Sequence, residues 1–321
     1  MNKMTSSDPP LVFGPVPSRR LGQSVGINNI PPKVCTYSCI YCQLGTCAPV
    51  APQRQYFYDP GLILAQTREK LEKARLNHES IDYLTIVSDG EPTLDNSLGQ
   101  LISDLTGLGI KTAVITNASL LGLSDVRRDL CLANWVSVKI DTLDQKTWRR
   151  IDRPGKTIFF KEILNGIESF SKEFNGSLVT ETMLVLGKND NAAGLEDTAE
   201  FISTLTPHVS YLGIPTRPPA VKSIRPPKEE ALNNAWQIFS SKGINAEFLI
   251  GYEGNQFAFT GDVENDILSI TAVHPMREDA VIAYLKKAGS DFSVIETLMK
   301  EKKIIINNYG KERFFMRLLN I

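Results

Sequence analysis

The sequence predicts an α/β fold, because short apolar segments alternate along the chain with segments of helical spacing. Residues 81–87, 111–116 and 135–140 are each typical of a buried strand. Patterns at 61–75 and 95–108 have the apolar spacing of amphipathic helices. Strict alternation of this kind builds a parallel sheet with both faces covered, and a curved run of such units closes part of a barrel. With six strands counted through residue 214, we predict a partial (β/α)6 TIM-like barrel.

The other elements of the barrel follow the same alternation. Further strands are predicted at 24–27, 178–186, 209–214 and 246–250. Further helices are predicted at 124–132, 161–174, 195–205 and 229–241, with Ser124 as the N-cap of the first. Between the last two strands, residues 215–227 hold five prolines and two arginines, which indicates a linker or a crossing that faces substrate.

The pattern changes after about Asp262. Two short helices are predicted at 277–287 and 292–302, followed by a hairpin with the Asn/Gly chemistry of its turn at 307–311. We therefore expect a barrel domain at 1–261 and a small winged-helix-like domain at 262–321. Residues 276–321 contain nine Lys and Arg and six Asp and Glu. This surplus leaves two interpretations open: a nucleic-acid-binding domain, or a small module for packing or protein contact.

Composition restricts the class of protein. A chain of 321 residues is long enough for one large and one small domain. Its net charge of -1 gives the whole molecule no bias toward nucleic acid or membrane. No apolar run approaches the roughly 20 residues that cross a bilayer, and the first residues do not resemble a secretory signal. We expect a cytoplasmic protein without membrane contact.

Three cysteines in the loop after the first strand carry the clearest chemical signal. Cys35, Cys39 and Cys42 are separated by three and then two residues. Three thiolates so close in sequence can hold three corners of one iron-sulfur cube and leave the fourth iron without a protein ligand. The sequence therefore predicts an iron-sulfur centre with one open position.

Structural zinc and a disulfide framework are the alternatives. Zinc closes a tetrahedron with four ligands, usually as two separated pairs, and no second pair follows these cysteines. Cys47 and Cys131 stand apart, and the three histidines lack paired spacing. We expect Cys47 to be a bystander, with a role at substrate or at a second cluster as the other interpretation. Five cysteines are few for a disulfide framework.

The cysteine spacing, with the aromatic Tyr41 directly before the third cysteine, resembles the signature of the radical S-adenosylmethionine (SAM) superfamily. The segments 14–22 and 28–33 are similar to wyosine-synthetase-like Fe-S oxidoreductases, although no cysteine precedes Cys35 to hold their second cluster. The resemblance implies a [4Fe-4S] cluster and SAM as cofactors, metal ligation by Cys35, Cys39 and Cys42, and a low-potential flavodoxin- or ferredoxin-like electron donor. It also implies reductive cleavage of SAM to a 5'-deoxyadenosyl radical that abstracts hydrogen from a substrate.

The resemblance also implies residues for SAM. The segment Ser88–Pro92 corresponds to a Gly-Gly-Glu-like motif that holds the methionyl amino group, and it matches at Gly90, Glu91 and Pro92. Asp89 stands where the first glycine is expected. Tyr41 is expected near the adenine.

Polar residues at the ends of predicted strands are further candidates. Asn117, Lys139 and Asp141 are expected to contact the SAM carboxylate and ribose, although such residues also cap helices. Glu181 and Thr182 alternate within a strand, so one of them is expected to face the barrel interior, and we take Glu181 as the cofactor-binding candidate.

Two functions from different classes remain. The first is a radical SAM enzyme acting on an RNA base or a small molecule, which we favour over a peptide because the C-terminus has no cysteines for further clusters. The second is an Fe-S redox-sensing, nucleic-acid-binding regulator. A regulator of that kind needs no SAM site, so Gly90 and Glu91 would be dispensable to it.

Overall fold

The computed structural model describes residues 11–49, 52–249, 257, 259, 261–273, 275–309 and 312–318. Its main sheet consists of β1 (Val12–Ser18), β2 (Gly22–Ile27), β3 (Tyr83–Ile86), β4 (Lys111–Thr116), β5 (Trp135–Lys139), β6 (Ser177–Met183), β7 (Val209–Gly213) and β8 (Ala246–Leu249). Spatial order equals chain order, and all neighbours pair in parallel except β1 with β2. The open sheet confirms the α/β partial barrel.

The count of six strands was too low, since the sheet has eight strands within the described residues. The additional strand at its start, β1, contains Gly14, Pro15 and Pro17, which argue against a strand in a sequence pattern. These residues are tolerated here because β1 is an edge strand, and its register with β2 shifts between Phe13 and Val16.

Helices of the barrel cover the outer face of the sheet. They are α1 (Pro60–Leu76), α2 (Leu98–Thr106), α3 (Ser124–Leu130), α4 (Gln145–Ile151), α5 (Phe160–Glu173), α6 (Ala192–Leu205) and α7 (Glu229–Ser241). The predicted N-cap of α3 was wrong, because Ser124 is the first helical residue and Leu123 occupies the cap position. The helix predicted from residue 95 begins later, since the Asp95 carboxylate accepts a hydrogen bond from the Ser97 amide and holds that turn out of the helix.

Two cores hold the barrel together. The larger core packs the helices against the sheet and includes Val114, Val136 and Leu212, all fully buried. A smaller core inside the barrel takes side chains from successive strands, among them Trp135 and Tyr211. The remaining open space inside the barrel therefore lies toward the other end of the strands.

The C-terminal segment packs against β1. It contains α8 (Val263–Val273), β9 (Met276–Arg277), α9 (Glu278–Lys287), α10 (Ser293–Lys300), β10 (Ile304–Tyr309) and β11 (Glu312–Arg317). The three strands form an antiparallel sheet in the order β10-β11-β9. Phe13 and Val16 of β1 share one buried cluster with Ile267 and Phe315 of this segment.

The predicted order of two helices and a hairpin is present in this segment. The strand β10 runs through Asn307 to Tyr309, which were predicted as part of the turn, and residues 310–311 lie outside the described residues. The winged-helix-like assignment and the domain boundary at 262 stay predictions.

Candidate active site

A cavity of about 380 Å³ opens at the carboxyl ends of the parallel strands. Residues at or just after the ends of β3, β5, β6 and β7 line it, including Val87, Lys139, Met183 and Gly213. The loop that follows β2 forms another part of the wall. Ligand sites in sheets of this type occur at this end because the loops there are free to vary.

The three cysteines of that loop, Cys35, Cys39 and Cys42, all line the cavity. Backbone hydrogen bonds join the loop to the end of α4 and to the residues that follow it. The amides of Ser38 and Ile40 donate hydrogen bonds to carbonyls of residues 152 and 151 at 3.0 and 2.8 Å. The backbone of the loop is therefore fixed while its thiols face the cavity.

The surroundings of the cysteines fit a metal cluster. The Cys35 sulfur accepts hydrogen bonds from the Tyr37 amide at 3.4 Å and from the Asn117 side-chain nitrogen at 3.5 Å. Hydrogen bonds of this kind tune a cluster-bound thiolate. Burial raises the pKa of the Cys35, Cys39 and Cys42 thiols, so their thiolates need the positive charge of a metal to form.

Gly90 is required by close contact with the cysteine loop. A Cβ atom on Gly90 would lie 2.0 Å from the Val34 carbonyl oxygen. The same oxygen accepts the Glu91 amide at 3.0 Å. Gly90 also lines the cavity, so the loop after β3 and the cysteine loop share one wall.

The Glu91 side chain lies behind this wall and is 1% exposed. Its carboxylate accepts hydrogen bonds from the Thr93 amide at 3.1 Å, the Thr116 hydroxyl at 2.6 Å and the Asn117 amide at 2.7 Å. Burial raises the pKa of Glu91, and these hydrogen bonds partly offset that effect. The neighbouring Pro92 is buried and begins a single 3-10 turn. Glu91 thus joins the ends of β3 and β4, and its predicted contact with SAM stays a prediction.

Asn117, the candidate after β4, reaches the cysteine loop rather than open space. Its side-chain nitrogen donates to the Cys35 sulfur and, at 3.1 Å, to the Thr36 hydroxyl. Its side-chain oxygen accepts the Ser119 amide at 2.9 Å. The chain of contacts from Glu91 through Asn117 to Cys35 therefore links three of the predicted residues.

Lys139 and Glu181 face each other across the cavity floor. The Lys139 ammonium lies 3.4 Å from one Glu181 carboxylate oxygen, and the Arg20 guanidinium is paired with the other. Burial alone would raise the pKa of Glu181, but the charges of Lys139 and Arg20 outweigh it and lower that pKa to about 2. Of the two residues considered in β6, Glu181 is the one that lines the cavity. Arg20, from the turn between β1 and β2, thus binds a protein carboxylate.

Tyr41 lies between the cysteines and two buried carboxylates. Its hydroxyl lies within hydrogen-bond distance of the Asp141 carboxylate and, at 2.8 Å, of the Asp152 carboxylate, and its one hydrogen serves either of them. The Cys39 thiol donates to the same Asp152 oxygen at 3.4 Å. The Lys139 ammonium stands 5.0 Å from the centre of the Tyr41 ring. Sequence reasoning missed Asp152, because a single aspartate within a basic segment gives no pattern.

Asp141 connects this group to the next strand. Its carboxylate accepts the amide of Met183, the last residue of β6, at 2.8 Å. Burial raises the pKa of Asp141, and the charge of Lys139 opposes that rise. Asp141 therefore holds the position of Tyr41 and β6 rather than lining the cavity itself.

Asp89, the departure from the expected glycine, is a charged group in the cavity wall. It is 3% exposed, and the Asn28 side-chain nitrogen donates to its carboxylate at 3.1 Å. Burial raises the pKa of Asp89 to about 7, while Asn28 and the charge of Arg317 act in the opposite direction. Arg317 belongs to β11, so the C-terminal segment reaches the electrostatic surroundings of the site.

The C-terminal segment also touches the rim of the cavity. The Tyr309 hydroxyl donates to the Pro215 carbonyl oxygen at 3.0 Å. Pro215 and Arg217 line the cavity, and Arg217 donates to the Gln43 side chain at 2.7 Å. Of the two interpretations of the proline-rich stretch, the crossing that faces the site is the one that the structure supports. Cys47 lines the cavity too, and its thiol donates to the Tyr37 carbonyl at 3.2 Å.

The architecture and the cysteine site define the class of protein, and comparisons with known proteins agree. A profile of the Radical SAM superfamily matches residues 29–202, more than half of the chain. The UPF0026 protein of Methanocaldococcus jannaschii is 43% identical over 309 residues, which cover 96% of either chain.

Two solved structures share the fold. A radical SAM methyltransferase from Sphaerobacter thermophilus superposes with a TM-score of 0.53 at 16% identity, over 71% of this chain and 66% of that one. Streptococcus suis SuiB bound to S-adenosylmethionine superposes with a TM-score of 0.51 at 15% identity, over 70% of this chain and 49% of that one.

The chain belongs to the radical SAM superfamily and, within it, to the UPF0026 proteins. It is an enzyme whose cofactors, as in the superfamily, are a [4Fe-4S] cluster and SAM. This membership favours the enzyme over the redox-sensing regulator.

Two features are absent from the described residues. No three His, Cys, Asp or Glu side chains there converge in the way that a single metal ion needs. No helix among them combines the length and apolar character needed to span a bilayer.

Proposed function

We propose that this enzyme uses Cys35, Cys39 and Cys42 to hold the [4Fe-4S] cluster and abstracts a hydrogen atom from a substrate bound over the carboxyl ends of the strands. The observation that carries the proposal is the meeting of all three thiols with Lys139 and Glu181 in one cavity. When bound, the cofactors supply one-electron cleavage of SAM and the resulting 5'-deoxyadenosyl radical.

The chain contributes position and charge to this chemistry. Gly90 allows close approach of backbone, and Asp89 and Glu181 place carboxylates where a SAM ammonium or ribose hydroxyl would find acceptors. Lys139 offers an ammonium for the SAM carboxylate, and Tyr41 offers an aromatic face. Glu91, Pro92, Asn117 and Asp141 act from behind the wall by fixing these groups and the cysteine loop.

The substrate we propose carries negative charge. Five cationic side chains and two carboxylates line the cavity; they are Arg19, Arg20, Lys33, Lys139 and Arg217 with Asp89 and Glu181. Glu181 is paired with two of these cations and neutralises the charge of one, so a positive surplus remains. A base within an RNA, whose backbone carries phosphate, or a nucleotide-like small molecule fits this positive surplus better than a neutral peptide segment does. Both arise in the cytoplasm, where we place the enzyme.

For the C-terminal segment we propose a structural role at the rim, from 262 onward. Several of its cations are paired within the protein: Arg313 with Glu278, Lys287 with Glu79, and Lys303 with Glu264. Such pairing reduces the charge available to nucleic acid. The contacts of Tyr309 and Arg317 with the site support a packing module.

The test measures transfer of deuterium from a labelled substrate to 5'-deoxyadenosine. The reconstituted enzyme, a low-potential donor and SAM are incubated without oxygen with perdeuterated ribonucleotides, then with short RNAs and peptides. Deuterium in 5'-deoxyadenosine identifies the substrate class, and labelling by a peptide alone would contradict the proposal. Arg217→Gln should raise KM for the active substrate at least 5-fold, with Lys222→Gln, an exposed cation of the same loop outside the cavity wall, as matched control.

A further inference from the structure

Four exposed cations lie together at the end of α4 and in the loop after it. They are Arg149, Arg150, Arg153 and Lys156, and we call them the basic face. Two carboxylates occur nearby in sequence, but one caps the far end of α4 and the other is buried. Arg149 also stands 5.6 Å from the centre of the Trp148 ring. In a chain of net charge -1, this is a local concentration of positive charge.

These cations have no carboxylate partners of their own. Within the described part of the chain, none of the four forms an ion pair, whereas neighbouring cations such as Arg127 and Lys139 do. Surface cations elsewhere on the molecule are also frequently paired, for example Lys242 with Glu200. The charge of the basic face is therefore available to a partner.

The basic face lies directly against the back of the cysteine loop. The Ser38 amide donates to the Asp152 and Arg153 carbonyls at 3.0 and 3.2 Å, and the Gly155 amide donates to the Thr36 carbonyl at 2.9 Å. To accept the Ser38 amide, Arg153 adopts a left-handed backbone with φ of 47°. For a residue other than glycine this conformation is strained, and strain of this kind concentrates at functional sites. The backbone of Arg153 and Gly155 is thus hydrogen-bonded to the loop that carries Cys35 and Cys39.

An apolar side chain adjoins the charges. Phe159, three residues beyond Lys156, is 57% exposed. With Leu123, 42% exposed, it borders a shallow hollow that is separate from the cavity of the cysteines. Weak electron-transfer interfaces often combine a small apolar area with surrounding charges. They bury little area and rely on charge for orientation.

We propose that the basic face is the docking site of an acidic one-electron carrier protein, of flavodoxin or ferredoxin type. One electron leaves the carrier and reduces the cluster held by the three cysteines, and no atom is transferred. The inference rests on the proposed function, because it requires a cluster at Cys35, Cys39 and Cys42. It adds the place at which the electron enters.

Nucleic acid is the other acidic macromolecule that such a face could bind. None of the four cations lines the cavity, where a base would have to enter to react. The segment that carries them is instead joined to the cysteine loop by the hydrogen bond from the Ser38 amide to the Arg153 carbonyl. This position suits delivery of an electron through the loop better than positioning of an RNA at the cavity mouth.

The experiment distinguishes reduction of the cluster by a carrier protein from reduction by a small-molecule reductant. The double variant Arg150→Glu/Lys156→Glu is compared with Arg68→Glu/Lys286→Glu, which changes the net charge equally at exposed cations far from the loop. Each reconstituted protein is tested for binding to a recombinant acidic flavodoxin and a 2[4Fe-4S] ferredoxin over a salt series. Formation of 5'-deoxyadenosine is measured with each carrier and, separately, with dithionite, which needs no docking site.

We expect the test variant to bind the carrier at least 10-fold more weakly, to lose salt dependence, and to lose carrier-driven activity by a similar factor, while dithionite-driven activity changes less than 2-fold. The control should resemble the wild type. Equal loss with dithionite, unchanged carrier binding, a wild type that accepts electrons from neither carrier, or loss of RNA binding instead would each overturn the inference. Absence of 5'-deoxyadenosine with dithionite in the wild type would instead reject the proposed function.

Discussion

The Lys139 ammonium and the Glu181 carboxylate meet at 3.4 Å, at matched positions on the neighbouring strands β5 and β6. Both side chains are largely withdrawn from solvent, and Arg20 pairs with the same carboxylate from the turn between β1 and β2. A buried carboxylate shared by two cations depends on both of them, and the cations depend on it. Variants of Lys139 and Glu181 therefore test how far this ion pair stabilises the site.

We expect Glu181→Gln to destabilise the protein by about 3 kcal/mol, because Lys139 and Arg20 would remain buried without their anion. Lys139→Met should cost less, since Arg20 still neutralises Glu181. The double variant should cost at least about 1 kcal/mol less than the sum. Anaerobic urea unfolding measures the three values. Simple additivity would show that the pair is not energetically coupled.

Glu91 is expected to act mainly through structure. Glu91→Ala removes the acceptor of buried donors from Thr93, Thr116 and Asn117, so we expect a loss of about 3 kcal/mol in unfolding free energy. Iron content should fall with it, since Asn117 then loses its position at Cys35. Thr93→Val, which removes one donor and keeps the acceptor, is the control. Normal stability and iron content with lost SAM affinity would instead place Glu91 in contact with SAM.

Asp89 should make stability depend on pH. Its pKa of about 7 in the fold exceeds the ordinary value of 3.8, so its favourable contribution is present at acid pH and is lost as pH rises through 7. Asp89→Asn removes this loss, and its stability relative to wild type should grow by about 2 kcal/mol between pH 5 and pH 8. Thermal unfolding across that range measures it. The exposed Asp197→Asn is the control, and a flat difference for Asp89→Asn would contradict the assignment.

Gly90 should not tolerate a side chain. Gly90→Ala places a methyl group 2.0 Å from the Val34 carbonyl, so the loop after β3 or the cysteine loop must move. We expect a lower melting temperature and loss of most bound iron. Gly107→Ala is the matched control, because at the end of α2 its φ is -61° and the nearest atom lies at 3.3 Å. Normal iron content in Gly90→Ala would show that the two loops are not rigidly joined.

The sequence allowed the barrel, its alternating elements and the cysteine loop to be predicted, because each depends on local periodicity or spacing. β1 was missed because its prolines are tolerated only at a sheet edge, and edge position is a property of the whole sheet. Asp152 and Arg317 were missed for a related reason. Each reaches the site from a distant part of the chain, and a single charged residue carries no spacing that reveals its partner.

Two predicted residues show that the sequence did not reveal which side chains face the cavity. Glu91 was expected at the cofactor from the resemblance of its motif, and Glu181 from alternation within a strand. The fold turns the Glu91 side chain into the protein, toward Thr116, while Glu181 faces the cavity. Strand alternation predicts that side chains point to opposite faces, but not which face becomes the cavity.

Ligation of the cluster by three cysteines alone is the central claim, and it is tested most directly by metal content and reduced-state electron paramagnetic resonance. Wild type, Cys47→Ala and Cys131→Ala, reconstituted without oxygen, should each bind close to the four irons of one cluster and show a spectrum that shifts when SAM is added. Ala at Cys35, Cys39 or Cys42 should remove both the spectrum and 5'-deoxyadenosine formation. Loss of the cluster in Cys47→Ala, or a spectrum indifferent to SAM in the wild type, would contradict the account.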